Sequence, residues 1–179
     1  MLSTKLFRVK RLYLLRHAKA SWDDPDLDDH ERPLAKRGKR AAKTMGRHLA
    51  ALGVCPDLVF CSSARRARET FERVQRPLGG APAVETEGAL YTASADELVR
   101  RIRSVSDDVE TLMLVGHEPV MSRLAGALAA ADESETSRRM RRKFPTGAFA
   151  EIGFEVGCWA EIVAGKGSLR RFLVPRDLA

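Results

Sequence analysis

Three short apolar runs limit the folds open to this chain. Arg11-Leu12-Tyr13-Leu14-Leu15, Asp57-Leu58-Val59-Phe60-Cys61 and Thr111-Leu112-Met113-Leu114-Val115-Gly116 are too short for helices. Their nearly continuous apolar character suits interior strands buried on both faces. Between them lie segments with helical spacing. Ala42, Met45, Leu49 and Leu52 recur along a helix from about Leu34 to Leu52, which Gly53 terminates. Ala67, Thr70, Phe71 and Val74 mark a second helix, with Ser62-Ser63 as its cap. The capping-box pattern Ser94-Ala95-Asp96-Glu97 opens a third, carrying Leu98, Val99, Ile102 and Val105. Pro119 stands early in a fourth, with Met121, Leu124 and Leu128 as its stripe. Strand and helix alternate, which predicts an α/β fold whose crossover helices cover both faces of a largely parallel sheet.

The tail changes character. Ala148 to Phe154, Cys158 to Ala164 and Leu169 to Val174 read as three consecutive short strands separated by glycine-containing turns, so antiparallel pairing is expected at the sheet edge. No linker or internal repeat divides the 179 residues. The expected organisation is an N-terminal extension over 1–10 and one domain over 11–179.

Composition narrows the setting. No apolar run reaches the roughly 18 residues needed to cross a bilayer, and Met1 to Lys10 lacks the apolar core of a signal peptide, so a soluble cytoplasmic protein is expected. Cys55, Cys61 and Cys158 fit neither a zinc spacing nor a disulfide framework and are expected as buried thiols. Most of the net charge of +7 comes from Arg138, Arg139, Arg141, Arg142 and Lys143. With no zinc finger or recognition helix beside it, that run reads as a solvated loop or helix end. Neither a nucleic-acid nor a membrane partner is expected, and a monomer is the default.

The residues that carry chemistry follow the strands directly. Arg16-His17 follows the first, Ser62 and Arg66 the second, and Gly116-His117 the third. In open α/β sheets the crevice at the carboxyl ends of the strands gathers loops and helix N-termini suited to anions. Guanidinium groups offer permanently charged, bidentate donors that match phosphoryl oxygens. A neutral imidazole can attack phosphorus and hold the phosphoryl group covalently. A second can donate to the equatorial oxygens. Taken alone, each residue has a bland reading: a solvent-facing histidine, a basic helix surface at 65–68, serines as helix caps. His30 and His48 receive no role. His17 and His117 lack a metal-ligand spacing, and no Walker A sequence is present.

Side by side, these segments resemble the histidine phosphatase (phosphoglycerate-mutase-like) superfamily, in particular its short SixA-like phosphohistidine phosphatase branch. The resemblance covers roughly 11–178. It rests on Leu14-Leu15-Arg16-His17-Ala18-Lys19-Ala20, Arg32-Pro33-Leu34 with Gly38, Ser62 to Thr70, Val115-Gly116-His117-Glu118-Pro119, Lys143 to Ala148, and Pro175 to Leu178. It implies a three-layer α/β/α sandwich and a phosphatase that works without metal or cofactor. It also implies His17 as nucleophile, Arg16 and Arg66 as the clamp on the phosphoryl oxygens, and His117 completing the pocket; Ser62, at the end of the second strand, is expected as pocket support. Ala18 replaces the more familiar glycine. Many relatives that cleave esters carry an acidic side chain after the second arginine segment, whereas here Gly88 and Ala89 precede Leu90, leaving Glu87 or Asp23 as candidate acids. A phosphoramidate needs less help in leaving than an alkoxide, so protein phosphohistidine is the expected substrate. The alternatives are a small-molecule phosphomonoesterase or phosphoanhydride hydrolase with the same intermediate, and a non-catalytic phosphate-binding module.

Overall fold

The computed structural model describes residues 9–178. Six strands form one sheet: β1 (Val9–Arg16), β2 (Leu58–Ser62), β3 (Ala83–Glu87), β4 (Thr111–Gly116), β5 (Phe149–Glu155) and β6 (Ser168–Leu173), in the order β3-β2-β4-β1-β5-β6. Pairing is parallel from β3 through β1 and antiparallel from β1 to β5 and from β5 to β6. The mainly parallel sheet with an antiparallel edge is therefore as expected. The first strand begins at Val9, two residues inside the segment read as an extension, and residues 1–8 lie outside the described ones.

The strands' period of two sorts side chains into two cores. Tyr13, Leu15, Val59, Cys61, Met113 and Val115 face α1 (Lys36–Ala51) and α2 (Arg65–Leu78), meeting Ala42, Met45, Leu49, Phe71 and Val74. Leu12, Leu14, Phe60, Leu112 and Leu114 point the other way, toward α3 (Ala95–Arg103), α4 (Val120–Leu128) and α5 (Glu135–Arg142). Each fully buried leucine or phenylalanine contributes roughly 1.5–3 kcal/mol, so this double-sided burial is what makes the central strands rigid supports. Gly46 lets α1 and α2 approach closely, since a Cβ there would lie 2.7 Å from the Val74 carbonyl oxygen. Gly53, at φ +70°, ends the first helix as its position in the sequence suggests. The Ser94–Glu97 capping box is formed.

Three readings need correction. The segment 158–164 is not a strand: Trp159–Glu161 makes a 3-10 turn, because its two core residues, Trp159 and Ile162, are spaced three apart and both point inward. The edge strand β3 escapes detection because its side chains are almost all exposed and leave no apolar run. The basic run, read as a solvated loop or helix end, is exposed and lies mostly in α5, which Ser134 caps and Met140 anchors in the core. Of the cysteines, Cys61 is buried, Cys158 is half-buried and Cys55 is exposed. Among the described residues, no helix is long and apolar enough to cross a membrane.

Candidate active site at the carboxyl ends of the strands

Because β1 lies beside β4 with Arg16 level with Gly116, and β2 pairs β4 with Cys61 level with Val115, the segments that leave these strands emerge as neighbours. His17 and His117 face one another with ring centroids 5.0 Å apart, and both are buried, at 9% and 7% exposure. Arg16 and Arg66 come to the same place from β1 and the first turn of α2.

Backbone contacts fix the first pair. The His17 N–H donates to the Gly116 carbonyl at 3.0 Å. Its ring Nδ1 lies 2.8 Å from the Ala18 carbonyl oxygen. A carbonyl only accepts, so Nδ1 carries the proton and Nε2 keeps a free lone pair. The Ala18 N–H donates to Thr70 Oγ1 at 2.9 Å, and Thr70 donates to the Arg66 carbonyl at 2.6 Å, which couples the loop after β1 to α2. Ala18 is wholly buried, and its backbone makes these contacts with a methyl in place of the glycine hydrogen. Arg16 Nη1 donates to the Phe144 carbonyl at 2.7 Å. The Gly147 N–H is shared between the Arg16 and His17 carbonyls, at φ +75°, a conformation that favours glycine. The late Lys143–Ala148 landmark thus braces the start of the site.

A carboxylate holds the second arginine. Arg66 donates through Nη1 to the Asp29 carbonyl at 2.5 Å and through Nη2 to Asp29 Oδ2 at 2.9 Å. The same Oδ2 accepts from the Tyr91 hydroxyl at 2.6 Å, and Oδ1 accepts from Arg32 Nη1 at 2.7 Å. Arg32 is itself buried, donates through Nε to the Ser21 carbonyl, and lies 3.1 Å from the Trp22 ring centroid. Tyr91 stands edge-on to His117 at 5.3 Å and to His30 at 5.2 Å. His117 Nε2 lies 2.8 Å from Ser62 Oγ. Ser62 is therefore not a simple helix cap. The cap position of α2 is Ala64, with no side-chain bond, and Ser63 Oγ turns instead to His30 Nε2 at 2.8 Å.

Electrostatics follow from this burial. Desolvation, with the two arginines adding to it, pushes the His17 imidazole down to about 3 and His117 down to about 4, so both stay neutral near pH 7. Burial also lowers Arg16 from its ordinary high value. The Tyr91 hydrogen bond, then Arg32 and Arg66, hold the Asp29 carboxyl far below the usual carboxylate range. Arg16 Nε and His117 Nδ1 are buried without a hydrogen-bond partner among the described residues. A neutral nucleophile among fixed positive donors suits an incoming phosphoryl group.

The structure brings His17, Arg16, Arg66, His117 and Ser62 together. It does not bring the two candidate acids to them. Glu87 Oε1 accepts from Arg101 Nε and Nη2 at 3.0 and 2.8 Å, beside α3. Asp23 is exposed in the first loop and makes no hydrogen bond or ion pair with those five among the described residues. Asp29 and Tyr91 go unnamed in the sequence, His30 receives no role there, and Arg32 enters only as a landmark of the resemblance. Asp29 is one of five aspartates between Asp23 and Asp29, and only its distance of three residues from the Arg32-Pro33 landmark distinguishes it. Among the described residues, no group of three or more His, Cys, Asp or Glu side chains could hold a metal ion.

Comparison with known proteins agrees with this geometry. The model of the histidine phosphatase superfamily (branch 1) matches residues 12–91. An uncharacterised protein of Mycobacterium tuberculosis is 40% identical over 164 residues, covering 90% of this chain and all of its own length. A solved structure assigned as the phosphohistidine phosphatase SixA of Nakamurella multipartitia superposes with TM-score 0.81 at 29% identity, covering 93% of this chain and 96% of that one. Another so assigned, from Agrobacterium tumefaciens, gives TM-score 0.77 at 29% identity over 93% of this chain and 98% of that one. With the family model, the sequence relative and the sheet topology in agreement, the chain belongs to the histidine phosphatase superfamily, branch 1, and is a hydrolase of that family.

Proposed function

We propose that the protein dephosphorylates phosphohistidine on a protein partner, through a covalent phosphoryl group on His17. His17 Nε2 attacks phosphorus while Arg16 and Arg66 neutralise the phosphoryl oxygens and His117 Nδ1–H donates to them. Water then attacks phospho-His17 and phosphate departs. His17 leaves as a neutral imidazole, since Nδ1 already holds its proton against the Ala18 carbonyl.

The observation that carries the substrate class is the fate of the carboxylates. Asp29 is held as an anion by Arg66, Arg32 and Tyr91, Glu87 is engaged by Arg101, and Asp23 is turned out in its loop. None is a carboxylic acid ready to protonate an alkoxide, which favours an imidazole leaving group. A macromolecular substrate is favoured by a groove between α1 and α2 lined by Lys39, Arg40, Lys43, Arg47, Arg73 and Arg76. It begins one residue beyond Gly38, which packs against Lys19, and gives acidic side chains of a partner a place to lie. The structures assigned as SixA add support by likeness.

The test is rapid-quench trapping with a labelled phosphohistidine protein, followed by peptide mapping. Acid-labile label is expected on His17 and none in His17→Ala. Equal or faster turnover of a small phosphate ester would move the assignment to the small-molecule class. Binding of phosphate with no adduct and no turnover would reduce the protein to a binding module.

A further inference from the structure

Beside the pocket residues, His30 links Glu31 to Ser63. His30 Nδ1 lies 2.8 Å from Glu31 Oε1, and His30 Nε2 lies 2.8 Å from Ser63 Oγ. The carboxylate can only accept at neutral pH, so Nδ1 carries a proton, and Nε2 is free either to accept from the Ser63 hydroxyl or, in the imidazolium, to donate to it. Ser63 directly follows Ser62, whose hydroxyl meets His117, and His30 and His117 stand against the same Tyr91 ring. His30 keeps a third of its side chain exposed, so the link sits at the rim rather than in the floor of the pocket. Gly88 lies alongside, where a Cβ would make an ordinary van der Waals contact with Ser63 Oγ at 3.8 Å. The groups around His30 are Glu31 on its own turn, the Tyr91 ring from the turn after β3, Ser63 from the start of α2, and the Asp29–Arg66 pair beside it.

We propose that Glu31, His30 and Ser63 form the proton relay that serves the leaving group in this pocket, with Ser63 as the group that touches substrate. The inference rests on the phosphohistidine reading above. In a phosphorylated imidazole, the nitrogen bonded to phosphorus has its lone pair in the aromatic ring, so the proton that makes the ring a good leaving group goes to the distal nitrogen. A donor for that site must stand back from phosphorus, as the rim position of Ser63 does. As His17 Nε2 forms its bond to phosphorus and the P–N bond breaks, the bonding pair returns to the leaving ring. Ser63 O–H gives its proton to the distal nitrogen and takes the His30 Nε2 proton in turn, and the substrate departs as neutral imidazole. When water attacks phospho-His17, one water proton returns through Ser63 to His30 Nε2, the new P–Nε2 bond breaks, and phosphate and neutral His17 are restored.

The experiment compares phosphoimidazole, which needs this proton, with phosphoimidazolium methylated on the distal nitrogen, which does not. Single-turnover phosphoryl transfer to the full-length enzyme is measured for wild type, His30→Gln and Ser63→Ala. Each variant is expected to slow transfer from phosphoimidazole on the order of 100-fold and transfer from the methylated compound by less than about twofold. Equal slowing of both compounds, no slowing of either, or label trapped on Ser63 would overturn the relay while leaving the function on His17 intact. A wild-type enzyme that turns over esters but takes no phosphoryl group from phosphoimidazole would overturn the phosphohistidine reading, and the relay with it.

Discussion

Asp29 and Arg66, 37 positions apart in the chain, are joined twice: through the Asp29 carbonyl at 2.5 Å and through its carboxylate at 2.9 Å. The guanidinium is thereby aimed by a loop outside the segment that carries it. Asp29→Asn keeps the backbone bond and the side-chain size but removes the charge shared with Arg32 and Tyr91. We expect kcat/KM for a phosphoramidate to fall about tenfold through loss of aim. Half of the carboxylate is exposed, so stability should change by no more than about 1 kcal/mol. Because the folded carboxyl is lowered, its contribution is present above the unfolded value of about 3.9 and lost as the pH falls further. Unchanged kinetics in a folded Asp29→Asn would sink the idea.

Glu87 supplies a contrasting case. Its carboxylate meets Arg101, whose guanidinium lies 3.8 Å from the Phe60 ring centroid. Replacement by Gln should lower thermal stability slightly and leave turnover of an alkyl phosphate and a phosphoramidate within about threefold of wild type, well short of the 100-fold or more typical of a lost general acid. A selective collapse of ester turnover in Glu87→Gln would restore it as the proton donor.

What could be read in the sequence follows from which forces act locally. The three interior strands announce themselves because burial on both faces demands an unbroken apolar run, as in Leu112 to Val115. Arg16, His17 and His117 are legible because they adjoin those runs. The edge strand Ala83–Glu87 pairs through its backbone while its side chains meet solvent, and composition carries no trace of it. The Asp29 cluster is invisible for a different reason. Its partners Arg32, Arg66 and Tyr91 come from three segments, and only the folded loop makes one aspartate of five different from the others.

Gly38 turns a landmark of the sequence into a steric requirement. A Cβ at this position would lie 2.1 Å from the Lys19 carbonyl oxygen, which also accepts from the Ala35 N–H at 2.9 Å. The loop after His17 therefore rests directly on the first turn of α1. Gly38→Ala must push that backbone away, with an expected cost of about 1–3 kcal/mol and a Tm lower by several degrees. The same shift should slow phosphoryl transfer, since Lys19 is two residues from His17. Calorimetry and single-turnover rates together check this. A variant as stable and as fast as wild type would show that the loop has room to give.

The two buried histidines make stability depend on pH in a predictable direction. Folded, they take protons only at about 3 for His17 and about 4 for His117. Unfolded, both do so at about 6.5. Between these values the unfolded chain binds more protons, so stability is full above about 6.5, falls as the pH drops toward 4, and stops falling on their account once each folded value is passed. One such group weakens the fold by up to about 1.4 kcal/mol per pH unit. His117→Asn removes one of the two while keeping a polar side chain for Ser62. The fall in Tm between pH 7 and pH 4.5 should then be smaller than in wild type by several degrees, although the variant starts from a lower Tm. The carboxylates are common to both proteins, so the difference between the two curves reports on His117 and on its influence on His17. Parallel curves would mean that His117 takes up its proton in the folded protein as readily as in the unfolded chain.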